Sequence, residues 1–167
     1  MHLWLLRHAK SSWDDPHLTD HDRPLAPRGE RDADRMAEFM AGSWVRPALI
    51  LCSSGLRARQ TLGRVFPAIG EMFVVRVEPA LYVFDQAPLL SRLRTVLDDV
   101  PSVMLVGHNP ALQELALTIA KDGDAIEEVA TKFPTCALAE FELHVDSWRD
   151  VAPASGTLTR LVVPRDL

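Results

Sequence analysis

Apolar runs of four or five residues alternate along this chain with segments of helical periodicity, and that alternation constrains the fold more than any other feature. The runs Leu3 to Leu6, Ala48 to Cys52 and Val103 to Val106 contain no polar residue, as expected of strands whose two faces are both covered. Such strands need helices above and below them. The expected architecture is therefore α/β, a three-layer sandwich with a mostly parallel central sheet and helices on both faces.

The segments between the strands fit that plan. The stretch from Arg7 to Gly29 is polar and aperiodic, longer than an ordinary connection in a compact domain, and such loops usually carry function. A helix is predicted over about Arg28 to Ser43, because Ala33, Met36, Ala37 and Met40 share one face and Pro27 suits its start. Ser53 or Ser54 is expected to cap the helix that follows the second strand. Further on, the pattern predicts a strand at Phe73 to Val77, helices near Pro88 to Asp98 and Ala111 to Lys121, and strands at Ala137 to Leu143 and Thr157 to Val163. No repeat, low-complexity tract or linker interrupts the 167 residues, so one domain over residues 1–167 is expected.

Composition narrows the function classes. Hydrophobic residues make up 47% and charged residues 25%, which argues against disorder and fibrous repeats. The net charge of −5 gives no general attraction to nucleic acid or anionic lipid, so neither partner is expected, and any anion site must be locally basic. The four-residue apolar stretch near the N-terminus is too short for a signal peptide or a membrane span, which makes a cytoplasmic location the expectation. Cys52 and Cys136 sit in apolar runs and are expected to be reduced core residues. His2, His17, His21 and His144 share no metal-ligand spacing, so no metal and no cofactor are expected, although His17 is a candidate for the pocket mouth.

In open α/β sheets ligands bind beyond the carboxyl ends of the strands. Arg7 and His8 follow the first strand, Arg57 the second, and His108 the strand Val103 to Val106. Two guanidiniums and two imidazoles gathered at one edge repel each other unless an anion is normally there, and the guanidinium fork fits phosphate oxygens. Helix N-termini after Ser54 and Asn109 would add backbone amides. A neutral imidazole attacks phosphorus when one ring nitrogen is held protonated and the other presents its lone pair, and His8 is best placed for this. Arg59, two residues from Arg57 on a helix, is expected to face elsewhere.

The segments LLRHAKS, DRPLAPRG, SSGLRARQT and VGHNP resemble, in order and spacing, the histidine phosphatase superfamily, and within it the small SixA-like phosphohistidine phosphatase branch. The resemblance implies a phosphoglycerate mutase-like fold, a phosphorylated histidine at His8, its partner arginine at Arg7, a second arginine at Arg57, a second histidine at His108, and a further phosphate-binding arginine at Arg23. The run Lys132 to Leu143 is similar to the strand region that closes the sheet in that branch. Larger members, such as the phosphoglycerate mutases, carry a general-acid carboxylate on an insertion that this short chain lacks. That leaves the proton donor open between Asp14, Asp20, Asp85 and none, since a phosphoramidate nitrogen can arrive already protonated.

Three functions follow as expectations: a protein phosphohistidine phosphatase, a phosphatase of a small phosphomonoester, or a phosphate-binding module without turnover. The partner is accordingly a phosphorylated protein or a small phosphorylated substrate. Trp13, on the long loop, is placed to lie beside it.

Overall fold

In the computed structural model, residues 1–70 and 73–167 are described. Seven strands form one sheet: β1 (His2–Arg7), β2 (Leu49–Ser53), β3 (Val74–Glu78), β4 (Ser102–Gly107), β5 (Ala120–Asp122), β6 (Leu138–Leu143) and β7 (Gly156–Val162), in the order β3-β2-β4-β1-β6-β7-β5. The pairs β2–β3, β2–β4, β1–β4 and β5–β7 are parallel, whereas β6 runs antiparallel to both β1 and β7. The expected mostly parallel sheet is present. The late strand region forms β6, which lies between β1 and β7.

Alternation along the central strands builds two cores. Leu3, Leu5, Leu49, Leu51, Val103 and Leu105 pack on one face beneath α3 (Gln86–Leu93), α4 (Ala111–Ile119) and α5 (Ile126–Thr131). Trp4, Leu6, Ile50, Cys52, Met104 and Val106 pack on the other beneath α1 (Pro27–Ala41) and α2 (Leu56–Ile69). Each strand thus buries both sets of side chains, which is why its sequence reads as a continuous apolar run. Burial of this apolar surface, at roughly 25 cal/mol per Å² removed from water, is the main term holding the three layers together.

α1 buries Ala33, Met36 and Met40, with Ala37 packed partly against them, as the periodicity predicts. Its Gly29 is required by a close crossing: a Cβ there would lie 2.1 Å from the carbonyl oxygen of Lys10, so the long loop is pressed directly onto the helix. Two elements depart from expectation. The helix expected to reach Lys121 stops at Ile119, and Ala120–Asp122 becomes a three-residue edge strand, too short to carry a strand signal. The short α5 was likewise not foreseen. Cys52 and Cys136 are free and buried, as expected. Among the described residues no helix is long and apolar enough to cross a membrane.

Candidate active site

Strand register brings the candidate residues together. Arg7 pairs with Gly107 across β1–β4, and Cys52 pairs with Val106 across β2–β4, so three parallel strands end at one edge. His8 continues the first strand by one residue. Its amide donates to the Gly107 carbonyl at 3.0 Å, and its carbonyl accepts from the Cys136 amide at 3.1 Å. The next amide, of Ala9, donates to Thr61 Oγ1 on α2 at 2.9 Å. The backbone is thereby pinned on three sides.

That pinning fixes the chemistry of the His8 ring. Nδ1 lies 2.7 Å from the Ala9 carbonyl, which can only accept, so Nδ1 carries the proton. Nε2 lies 3.2 Å from Arg57 Nε, which can only donate, so Nε2 bears the lone pair. Burial, opposed by the Ala9 carbonyl and reinforced by His108, Arg57 and Arg7, pushes the His8 pKa down to about 3. The ring is neutral at physiological pH.

His108 follows β4, with its ring centroid 5.0 Å from that of His8. Its Nε2 is 2.7 Å from Ser53 Oγ, and its Nδ1 is buried without a partner among the described residues. Burial first, and then Arg57, holds its pKa down at about 4. The residue capping α2 is Gly55, and neither Ser53 nor Ser54 caps the helix with its side chain. The reason is local. Ser53 Oγ is taken by His108, and a Cβ at residue 55 would lie 3.0 Å from His108 Cε1 and 3.2 Å from Tyr82 Cδ2, so a larger residue there would press on both rings.

A cavity of about 210 Å³ opens beside His8 and is lined by Arg7, Ser11, Trp13, Arg23 and Arg57. Arg7 Nη1 donates to the Phe133 carbonyl at 2.6 Å, while its Nε is buried without a partner among the described residues. Arg23 is buried and donates to Ser11 Oγ, the Ser12 carbonyl and Asp20, and its guanidinium stacks over Trp13. His108 does not line this cavity; it stands behind His8 with only 1% of its surface exposed, covered by Tyr82 and Phe84. His17 is exposed and lies outside the lining. Arg59 is also exposed and bonds the Ser54 carbonyl, away from the cavity as expected.

Of the three candidate acids, only Asp20 touches the cations. Asp85 caps α3 through the Ala87 amide, and Asp14 is exposed. Asp20 accepts from Arg57 at 2.9 Å, from Arg23 at 3.0 Å and from the Tyr82 hydroxyl. Partial burial raises its pKa, but the bonds from Tyr82, Arg57 and Arg23 outweigh this and bring it down to about 2. Tyr82, Ser53 and His21, whose Nε2 lies 2.9 Å from Ser54 Oγ, are neighbours that the sequence did not announce. Among the described residues no group of three or more His, Cys, Asp or Glu is arranged to hold a metal ion.

Comparison with known proteins identifies the family. A family model described as histidine phosphatase superfamily (branch 1) matches residues 3–82, which include His8, Arg23 and Arg57. A protein of Mycobacterium tuberculosis, itself uncharacterized, is 37% identical over 169 residues, covering 96% of this chain and 100% of that protein. Phosphohistidine phosphatase SixA of Escherichia coli is 28% identical over 145 residues, 86% of each chain. The solved structure of the protein histidine phosphatase SixA complexed with tungstate superposes with a TM-score of 0.80 at 26% identity over 99% of both chains. The chain belongs to the histidine phosphatase superfamily.

Within that superfamily its fold is the phosphoglycerate mutase-like one, and membership supports phosphatase activity on a phosphorylated substrate. The buried histidines also make a pH-dependent prediction. Each has a lower proton affinity folded than its unfolded value near 6.5, so the unfolded chain binds more protons from pH 6.5 down to about 3 for His8 and about 4 for His108. Their stabilising contribution is fully present above pH 6.5 and is lost as pH falls through that window, by up to about 1.4 kcal/mol per pH unit for each ring. Thermal melting from pH 7 to pH 4 is expected to show a falling Tm in the wild type and a shallower fall in His8→Asn. Equal slopes would contradict the assignment of a neutral buried His8.

Proposed function

We propose that this chain is a protein phosphohistidine phosphatase that works without a metal, with His8 as its nucleophile and Arg7, Arg57 and Arg23 as the cations that receive the phosphoryl group. The observation that carries this reading is the state of His8: neutral, protonated at Nδ1 by the demand of the Ala9 carbonyl, and with the Nε2 lone pair set among guanidiniums. A relative in the same superfamily binds tungstate, a tetrahedral oxyanion of phosphate-like shape.

In the proposed reaction Nε2 attacks phosphorus while the bond from phosphorus to the substrate nitrogen breaks, and Arg7, Arg57 and Arg23 neutralise the equatorial oxygens. Water then attacks phospho-His8, the bond from phosphorus to Nε2 breaks, and inorganic phosphate leaves with His8 restored. His108 supports His8 from behind, its ring centroid 5.0 Å away, and its buried Nδ1 has no partner among the described residues.

Asp20 bears on the choice of substrate. Held near pKa 2 by two arginines and a tyrosine, it has no proton to give at neutral pH, and Asp14 and Asp85 lie apart. An alkoxide leaving group needs a proton donor, whereas a phosphoramidate nitrogen arrives protonated and departs neutral. The site therefore favours phosphohistidine over a phosphomonoester of a simple alcohol. Specificity constants for a histidine-phosphorylated protein and a panel of sugar phosphates and nucleotides test this. The phosphoprotein is expected to exceed the best ester by at least about 100-fold, and a reversed order would shift the assignment to a small phosphomonoester.

A further inference from the structure

Next to the cavity beside His8 lies a larger one, about 570 Å³ in volume, and the two share Arg7, Lys10 and Thr135 as common walls. Its lining is cationic. Arg7 and Lys10 stand at the shared end, and Arg28, Arg31 and Arg35 come from one side of α1, where spacings of three and four residues align them along about two turns. Lys132 and Arg165 complete it from distant parts of the chain. Against these seven cations stands one lining carboxylate, Asp32, which reaches Arg28 at 3.6 Å.

Such crowding costs free energy in an unliganded protein, and only part of it is offset by ion pairs. Lys10, Arg31, Arg35 and Lys132 form no ion pair among the described residues, although the chain as a whole carries a net charge of −5. A trough of one sign set in a surface of the other focuses the field on anions and raises their local concentration. Its character also indicates the size of the guest. Metabolite sites are concave and largely apolar with a few buried polar groups, whereas Lys10, Arg28, Arg31, Arg35, Lys132 and Arg165 are all exposed and reach outward on long stems. That form suits a row of carboxylates on another polypeptide.

We propose that this trough binds an acidic segment of the phosphorylated polypeptide while the phosphoryl group enters the neighbouring cavity at His8, an inference that rests on the reading of the site as a protein phosphohistidine phosphatase. The trough then selects among phosphoproteins by the charge beside the phosphorylated residue, and its contribution weakens as salt screens the exposed pairs.

The test uses the full chain and three substrates: a phosphohistidine peptide flanked by Asp and Glu, the same peptide with Asn and Gln at those positions, and the phosphoramidate ion, which has no flanks. The wild type is expected to prefer the acidic peptide by roughly tenfold in kcat/KM, with the preference shrinking at high salt. Arg31→Glu/Arg35→Glu is expected to abolish or invert that ratio, and Lys132→Glu, on a separate segment, to reduce it. Phosphoramidate hydrolysis reports whether each variant still folds and turns over. Equal rates on the two peptides, or a preference that survives charge reversal, overturn the trough as a recognition site and leave the catalytic reading standing. Hydrolysis of phosphomonoesters with neither peptide touched overturns both.

Discussion

His8→Ala is expected to lose at least about 10⁴-fold in kcat while keeping its fold, because the imidazole lone pair set among the guanidiniums disappears with the ring. The backbone at residue 8 is held by Gly107 and Cys136 through main-chain bonds that the substitution does not touch. Removing the ring also deletes a group whose charged form the interior disfavours. Circular dichroism of the variant should therefore match the wild type. A variant retaining even one part in a hundred of wild-type turnover would place the nucleophile elsewhere.

Arg57→Ala is expected to be the second most damaging change, lowering kcat/KM by about 100- to 1,000-fold, the size of effect seen when one preorganised charge donor is removed. The guanidinium acts in two places at once. Its Nε holds the His8 lone pair at 3.2 Å, and its other nitrogens bond the carboxylate and the backbone carbonyl of Asp20. Arg57→Lys should rescue little, since a single ammonium cannot span both partners. A second readout separates this role from simple loss of structure. Arg57 is among the cations that depress the proton affinity of His8 and of His108, so its removal should move the acid limb of the rate profile towards neutrality. An Arg57→Ala enzyme within threefold of wild type, with an unmoved pH profile, would remove Arg57 from the mechanism.

Much of this site could be read from the sequence because strand ends are easy to see. Arg7, His8 and His108 stand where apolar runs break off, and the parallel register of β1, β4 and β2 then brings them to one edge. The face of α1 was equally plain in Ala33, Met36 and Met40. What sequence could not supply were contacts made by the long loop once it folds back. Asp20 was one acid among three until its bonds to Arg57, Arg23 and Tyr82 set it apart, and those partners come from separate segments. Ser53 was misread for a comparable reason. A serine before a helix looks like a cap, but a histidine from another strand end claims its hydroxyl. The edge strand β5 was hidden because its three residues, Ala120 followed by exposed Lys121 and Asp122, are too few to show an alternation.

The basic trough lies between these cases. Arg28, Arg31 and Arg35 are aligned by helical spacing alone, but their convergence with Lys10, Lys132 and Arg165 needs the fold. It explains how a chain with a net negative charge can still attract an anionic partner to one particular place.

The most direct measurement is mass spectrometry of the enzyme quenched in alkali during turnover of a ³²P-labelled phosphohistidine protein, with the label mapped to a peptide. Label on the imidazole of His8, labile to acid and absent from His8→Ala, is the predicted result. Turnover with the label on another residue, or with no phosphoenzyme formed at any time, would contradict the account.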